Sequence, residues 1–298
     1  MNLFSILLLF IFSFPFLVYG SNNAGAFIEN GIQARASGMG MSHVSIAQNS
    51  DAIYWNPALL SFSTSPEVRF MGTKAYETHY VSMQGLFTIM GHPIGVGIIN
   101  AYMDDIKETT YDETTSRYAF SGNTLFYNAT ASYLASSFHV LDSLSIGTSL
   151  KYLQERADHY QTFGIGLDVG MAYMLGKHIT LGANVQNLIQ PSMKRSLSSA
   201  TIDTVPTLFK LGGSASFFYD RLLTSMDLNL RKNRTSRITM GLEYWLTKPF
   251  AIRVGLNKDI MSLGLGLHLD SLMIDFAWNK PAAFYLEDIY KISFAYQL

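Results

Sequence analysis

Strict alternation of apolar and polar residues, sustained over about nine to thirteen positions and repeated down most of the chain, is the feature that most restricts what this sequence can become. In "HITLGANVQ", Ile179, Leu181, Ala183 and Val185 share one face, and Thr180, Gly182, Asn184 and Gln186 the other. "RITMGLEYWL" sets Ile238, Met240, Leu242, Tyr244 and Leu246 against Arg237, Thr239, Gly241, Glu243 and Trp245. "SLMIDFAWN" and the C-terminal "IYKISFAYQL" repeat the pattern. Successive strand side chains point to opposite faces, so a period of two predicts strands. About fourteen such segments can be marked: 67–76, 80–90, 94–104, 123–135, 143–154, 160–174, 178–188, 205–218, 221–231, 236–246, 249–257, 260–269, 271–279 and 289–298. A tilted strand that crosses a bilayer needs about 9–11 residues, whereas soluble strands average about five or six.

The connections sort by parity. If the first strand runs outward, the inner connections are Gly91-His92-Pro93, 136–142, Leu175–Lys177, Tyr219-Asp220, Thr247-Lys248 and Asp270, mostly short. The outer ones include 105–122, 189–204 and 280–288, which are long and polar. Outer-membrane barrels are built this way, and a β-sandwich has no reason to sort its loops. The polar faces carry Gly, Ser, Thr, Asn and Gln with ions of both signs, among them Lys151, Asp168, Lys210, Asp227, Arg231, Glu243, Arg253 and Asp275. Backbone groups in hydrocarbon must be paired, so the strands are expected to close into a transmembrane antiparallel β-barrel of about fourteen strands.

Composition supports this. Charged residues make up 14% of the chain, well below the roughly 25% of soluble domains, while aromatics reach 13%. Twenty-one Lys and Arg against 22 Asp and Glu leave a net charge of −1, which gives no electrostatic case for nucleic acid. Cys is absent, which excludes disulfides and thiolate metal sites. The opening "MNLFSILLLFIFSFPFLVYGSNN" reads as a signal peptide over residues 1–20, although no Lys or Arg precedes its apolar run. The expected organisation is therefore signal peptide 1–20, an N-terminal plug 21–62 and barrel 63–298.

Residues 21–62 break the alternation. Gly38 and Gly40 signal turns, a short helix capped near Ser50 or Asp51 is expected, and Asn56-Pro57 ends it. The segment is too short for a core of its own. Its apolar groups, Tyr54 and Trp55 above all, are expected to pack inside the barrel, with Asn56-Pro57 separating plug from first strand.

The stretch "GIQARASGMGMSHVSIAQNSDAIYWNPALL" resembles the N-terminal signature of the PorV/PorQ outer-membrane barrels, part of the wider FadL-like group. The matching positions are Arg35, Gly38, Met39, Gly40, Asp51, Trp55, Asn56, Pro57 and Ala58. The resemblance implies a fourteen-stranded barrel with a small plug, integral to the outer membrane of a diderm bacterium and in contact with its lipid. It implies one of two functions: binding or passage of a hydrophobic ligand, as in the FadL group, or a role with secretion-system proteins in type IX secretion or surface attachment.

No other motif points to chemistry. The seven histidines, His43, His79, His92, His139, His159, His178 and His268, lack metal-ligand spacing, so no metal or cofactor is expected. "DDIKETTYDE" (104–113) lacks the central Gly of a Ca²⁺ loop and reads as a solvated outer loop. "GIGLDVG" (164–170) and "GLGLH" (264–268) lie within strands, where phosphate cradling does not occur, and are read as small lumen-facing residues. No Ser, His and carboxylate cluster suggests a hydrolase, so no enzyme is expected. Arg35, the only cation in the first 68 residues, is expected to pair with a lumen carboxylate, or with Asp51 inside the plug, and to fix or gate it. Trp55 is expected to anchor the plug or to line a greasy path.

Overall fold

A computed structural model describes residues 24–63, 65–113, 116–195, 202–231, 235–258, 260–283 and 285–298. The expected signal peptide lies outside the described residues. Sixteen strands follow in chain order: β1 (Glu67–Ala75), β2 (Thr78–Ile89), β3 (His92–Asp112), β4 (Arg117–Leu141), β5 (Leu144–Ala157), β6 (Tyr160–Leu175), β7 (Ile179–Ile189), β8 (Ser192–Arg195), β9 (Ile202–Thr204), β10 (Leu208–Phe217), β11 (Leu222–Arg231), β12 (Arg237–Thr247), β13 (Phe250–Asn257), β14 (Ile260–Leu269), β15 (Leu272–Pro281) and β16 (Ile289–Gln297). Each pairs antiparallel with its neighbour in sequence, except that β7 pairs directly with β10. The short β8–β9 hairpin is set aside against β6.

β16 returns to β1 with eight residue pairs, from Glu67 opposite Gln297 to Lys74 opposite Tyr290. This closes a ring of fourteen strands with no free edge along the wall. Closure is what a hydrocarbon surround demands, because an unpaired N–H or C=O there costs several kcal/mol.

The alternation resolves as expected. On β12, Ile238, Met240, Leu242 and Leu246 face outward and exposed, while Thr239, Gly241 and Glu243 are buried in the lumen. On β16, Tyr290, Ile292, Phe294 and Tyr296 are exposed against buried Ile289, Lys291, Ser293 and Ala295. An exterior belt of Leu, Ile, Met, Val and aromatic side chains around a polar, filled interior inverts the soluble pattern and matches a lipid surround. Among the described residues, no helix is long and apolar enough to cross a membrane.

Three expectations need correction. The stretch 105–122 is not an irregular loop: β3 and β4 run on to 21 and 25 residues and form a two-stranded ribbon standing beyond the wall. Its start is marked by register shifts between Met103 and Ile106, where Asp105 takes a positive φ of 56° and breaks the side-chain alternation. At the other end, 136–142 is strand as far as Leu141, and His92 and Pro93 likewise belong to β3. The connection 189–204 is partly structured too: β8–β9 folds inward with Met193 buried, and Val205 just after it is buried as well. The connections longer than four residues, 190–207, 232–236 and 282–288, nevertheless share one rim, the long-connection rim.

Leu242→Lys, at mid-height on the exterior, is expected to lower stability by about 2–4 kcal/mol, and Phe218→Lys, in a rim turn, by about 0–1 kcal/mol. Urea unfolding in phospholipid vesicles measures both. Equal, small effects would contradict a lipid-facing belt.

Candidate functional site

Residues 24–63 form short helical turns that sweep around the inner wall. They comprise Ala26–Asn30, Ala34–Gly38, Asn49–Asp51, Ala52–Trp55 and Pro57–Phe62. No turn is long enough to persist alone, so the wall must hold the path in place. Gly25 N–H donates to Glu155 on β5 at 3.0 Å. Lys291 on β16 reaches the Asn30 carbonyl at 2.6 Å, and Ser37 Oγ meets Asn279 Oδ1 on β15 at 2.7 Å. Asp227 on β11 accepts the N–H groups of His43 and Val44 at 2.7 and 2.9 Å. Ser145 on β5 donates to the Ala58 carbonyl at 2.7 Å, and Ser61 meets Ser137 on β4 at 2.6 Å.

The plug backbone lies directly on lumen glycines. Gly40 has φ 63°, and a Cβ there would overlap Leu256 N and Met240 O. A Cβ at the facing Gly255 would overlap Gly40 N, so neither position accepts a larger residue.

At the centre is a buried charge network. Arg35 forks onto Glu243, with Nε to Oε2 and Nη2 to Oε1 both 2.9 Å. Glu243 also accepts Arg253 Nε at 2.6 Å, and Arg253 Nη1 reaches Asp275 at 2.7 Å. The order is Arg35–Glu243–Arg253–Asp275, alternating in sign. A second cluster joins Asp51 to Arg69 at 3.2 Å and to His43 at 3.5 Å, with Arg69 also on Glu67 at 3.0 Å. Burial opposes the Arg35 cation, but Glu243, helped by Asp275 and Asp51, outweighs it and holds the guanidinium above its ordinary pKa. Burial also pushes the His43 imidazole down, against the pull of Asp51.

The expected partner of Arg35 is therefore resolved: a lumen carboxylate, Glu243, and not Asp51, which Arg69 engages from β1. Nor does Ser50 or Asp51 cap a helix, since the Asn49–Asp51 and Ala52–Trp55 turns have no side-chain cap bond. The Ser50 hydroxyl is taken by Glu67. Asn56-Pro57 ends the Ala52–Trp55 turn as expected but opens the next, Asn56 Oδ1 accepting Ala58 N–H at 3.2 Å. The plug thus continues to residue 63, and the step is a joint inside it. Asn56 Nδ2 donates to Val44 O at 2.9 Å and to Met171 O at 3.1 Å, tying two plug segments to β6. Glu67, Arg69 and Lys291 were not singled out from the sequence. Their signal was an ionic residue on the inward face of an alternating strand.

Tyr54 and Trp55 are buried edge to face, ring centroids 5.0 Å apart. Tyr54 OH donates to Ile28 O at 2.5 Å, while Asn184 and Gln186 on β7 hold the carbonyls of Trp55 and Tyr54 at 2.7 and 2.9 Å. Lys210 Nζ sits 4.8 Å from the Trp55 ring centroid and 5.6 Å from that of Tyr54, within cation–π range. These rings line a cavity of about 390 Å³ toward the long-connection rim. Its apolar lining is Ile28, Met41, Val205 and Leu208, and its polar lining includes Gln186, Asn187, Lys210, Arg231 and Arg237. Glu29 pairs with Arg231 at 2.7 Å. The site thus offers apolar and aromatic surface next to cations. Among the described residues, no group of three or more His, Cys, Asp or Glu is placed to hold a metal ion.

Solved structures share this fold. The Ralstonia pickettii toluene transporter TbuX superposes with a TM-score of 0.68 at 13% identity, covering 90% of this chain and 98% of its own. The Pseudomonas putida toluene transporter TodX gives 0.65 at 13% identity, with coverage of 90% and 98%. A Pseudomonas aeruginosa FadL homologue gives 0.59 at 11% identity, with coverage of 94% and 99%. At such identities the likeness establishes a β-barrel fold in common. No protein-family model and no curated protein matches the sequence.

Glu243→Gln removes the anion shared by two buried guanidinium groups and is expected to destabilise the plugged state by about 3–5 kcal/mol. Limited proteolysis in mild detergent is expected to show faster cleavage within 24–63, with the barrel fragment intact. A second expectation concerns pH. Burial lowers the His43 pKa in the folded chain below its ordinary value of about 6.5, so as pH falls through that value the unfolded state binds the proton more readily and stability decreases. His43→Gln should flatten that slope in a melting series from pH 8 to 5. An unchanged slope would assign the acid sensitivity elsewhere.

Proposed function

We propose that this chain is an integral outer-membrane protein of a diderm bacterium that binds hydrophobic or amphiphilic small molecules and passes them across, by plug movement or by sideways opening of the wall. The observation that carries the reading is the cavity over Tyr54 and Trp55, where apolar and aromatic surface meets Lys210 and Arg237. Such a lining suits a ligand with a greasy body and a polar or anionic end. The fold shared with two toluene transporters supports the same direction. On this reading the protein is not an enzyme and needs no cofactor. Arg35, Gly38, Gly40, Asp51, Asn56 and Pro57 seat the plug, while Tyr54 and Trp55 meet the ligand. The alternative, contact with secretion-system proteins, rests on the N-terminal resemblance and would use the stretches 105–122, within the β3–β4 ribbon, and 189–204.

In proteoliposomes, uptake of a fluorescent fatty amphiphile is expected above the empty-vesicle rate. Trp55→Ala is expected to weaken apparent affinity by about two- to tenfold through the lost aromatic contact. Uptake at the empty-vesicle rate by the wild type would overturn the reading.

A further inference from the structure

Among the described residues, the exterior belt carries a block of large polar groups on β3, β4 and β5, beyond the small hydroxyls at Ser132, Ser136 and Thr148. Along the outward face, one ladder row reads Phe70, Met83, Ile98, Ser132, Tyr152, Ile165, and all but Ser132 are large and apolar. One row nearer the long-connection rim, the sequence is Gly72, Val81, Asn100, Thr130, Gln154, Phe163. The next is Lys74, His79, Tyr102, Asn128, Arg156, Gln161. Across β3, β4 and β5, therefore, two amides, a hydroxyl, a phenol, a third amide and a guanidinium form one block. Val81, Ile98, Tyr152 and Phe163 border it, each at least 42% exposed.

Inward-facing neighbours fix the outward orientation of these groups. Ala101, Ala129 and Leu153, interleaved with them, are fully buried in the core, and Glu155 bonds the plug. The block lines a groove of about 500 Å³, closed at one side by Asp104 and Phe126 where the ribbon leaves the wall. Its groups are already ordered. Asn100 Nδ2 donates to Thr130 Oγ1 at 2.9 Å and to Asn128 Oδ1 at 3.3 Å. The Arg156 guanidinium lies 5.0 Å over the Phe126 ring, and Tyr102 stacks on His79 at 5.1 Å.

Amide, hydroxyl and guanidinium groups are costly against acyl chains, so the block marks the level at which headgroups begin. A cluster of amides and hydroxyls beside flat aromatic faces recognises sugar hydroxyls, and a guanidinium recognises a phosphate. The groove volume lies within the about 300–1,000 Å³ range of ligand sites. We infer that this groove binds the phosphorylated-sugar headgroup of an outer-leaflet glycolipid, its acyl chains lying on Ile98, Tyr152 and Ile165. This site is on the opposite side of the wall from the lumen cavity and does not depend on any ligand passing through the barrel.

The test is native mass spectrometry of the full chain in mild detergent, titrated separately with a bisphosphorylated diglucosamine glycolipid, its deacylated saccharide and phosphatidylglycerol. The glycolipid is expected to be retained on the wild type, and both controls far less. Arg156→Gln is expected to lower apparent affinity at least about tenfold, the scale of one lost charge-assisted hydrogen bond, and Asn128→Leu about two- to tenfold, the scale of a neutral one. Gln161→Leu, outside the groove, serves as the matched control, and heat-dependent gel migration verifies barrel closure for every variant. Retention unchanged in closed Arg156→Gln and Asn128→Leu barrels would overturn the site. Equal retention of phosphatidylglycerol would overturn the sugar assignment, and equal binding of the deacylated saccharide would overturn the lipid one.

Discussion

Everything in this structure depends on the ladder closing between β1 and β16. Until Glu67–Lys74 pairs with its C-terminal partner strand, two edges of the sheet present unpaired backbone groups, which neither lipid nor a stable monomer tolerates. Once closed, the period of two becomes a sorting rule: one face meets lipid and the other a lumen of fixed width. The lumen must then be filled, and the described N-terminal residues fill it. Chain order makes the dependence plain, because the residue that starts the barrel, Glu67, is also hydrogen-bonded to the plug through Asn49 and Ser50.

The plug is held by two kinds of complementarity that a simple apolar core would not supply. Lumen glycines let backbone touch backbone, so its path is specified sterically at Gly40 against Gly255 and at Asn56-Pro57 against Gly147 and Gly170. The alternating chain Arg35–Glu243–Arg253–Asp275 then fixes its rotation. Buried pairs contribute little net stability compared with apolar packing, yet removing one member leaves an uncompensated charge. A seat of this kind is specific in register, because each plug cation has one inward carboxylate placed to meet it.

Much of the barrel was legible in the chain. All fourteen wall strands correspond to alternating segments, because lipid on one side and a polar lumen on the other impose the same period on every strand. The β3–β4 ribbon was not legible: at Asp104-Asp105 the register shifts and the alternation fails, although Thr109, Thr110, Tyr111, Tyr118 and Phe120 are β-formers flanking a turn. The plug motif could be marked, but its bonds could not. Arg35 and Glu243 are separated by 208 positions, and only the closed ring decides which inward carboxylate faces which plug cation. The lumen cavity was equally hidden, since Tyr54, Lys210 and Arg237 converge from three distant stretches.

Ligand passage is tested most directly by identifying what occupies the lumen of the protein extracted in mild detergent from the membrane of the cell that makes it. Extraction followed by mass spectrometry of released small molecules is expected to find, apart from any glycolipid lost in Arg156→Gln, an amphiphile at about one per barrel that Arg156→Gln retains and Trp55→Ala depletes. A wild-type preparation with no small molecule enriched over bulk membrane lipid, or one in which every enriched molecule is indifferent to Trp55→Ala, would contradict it.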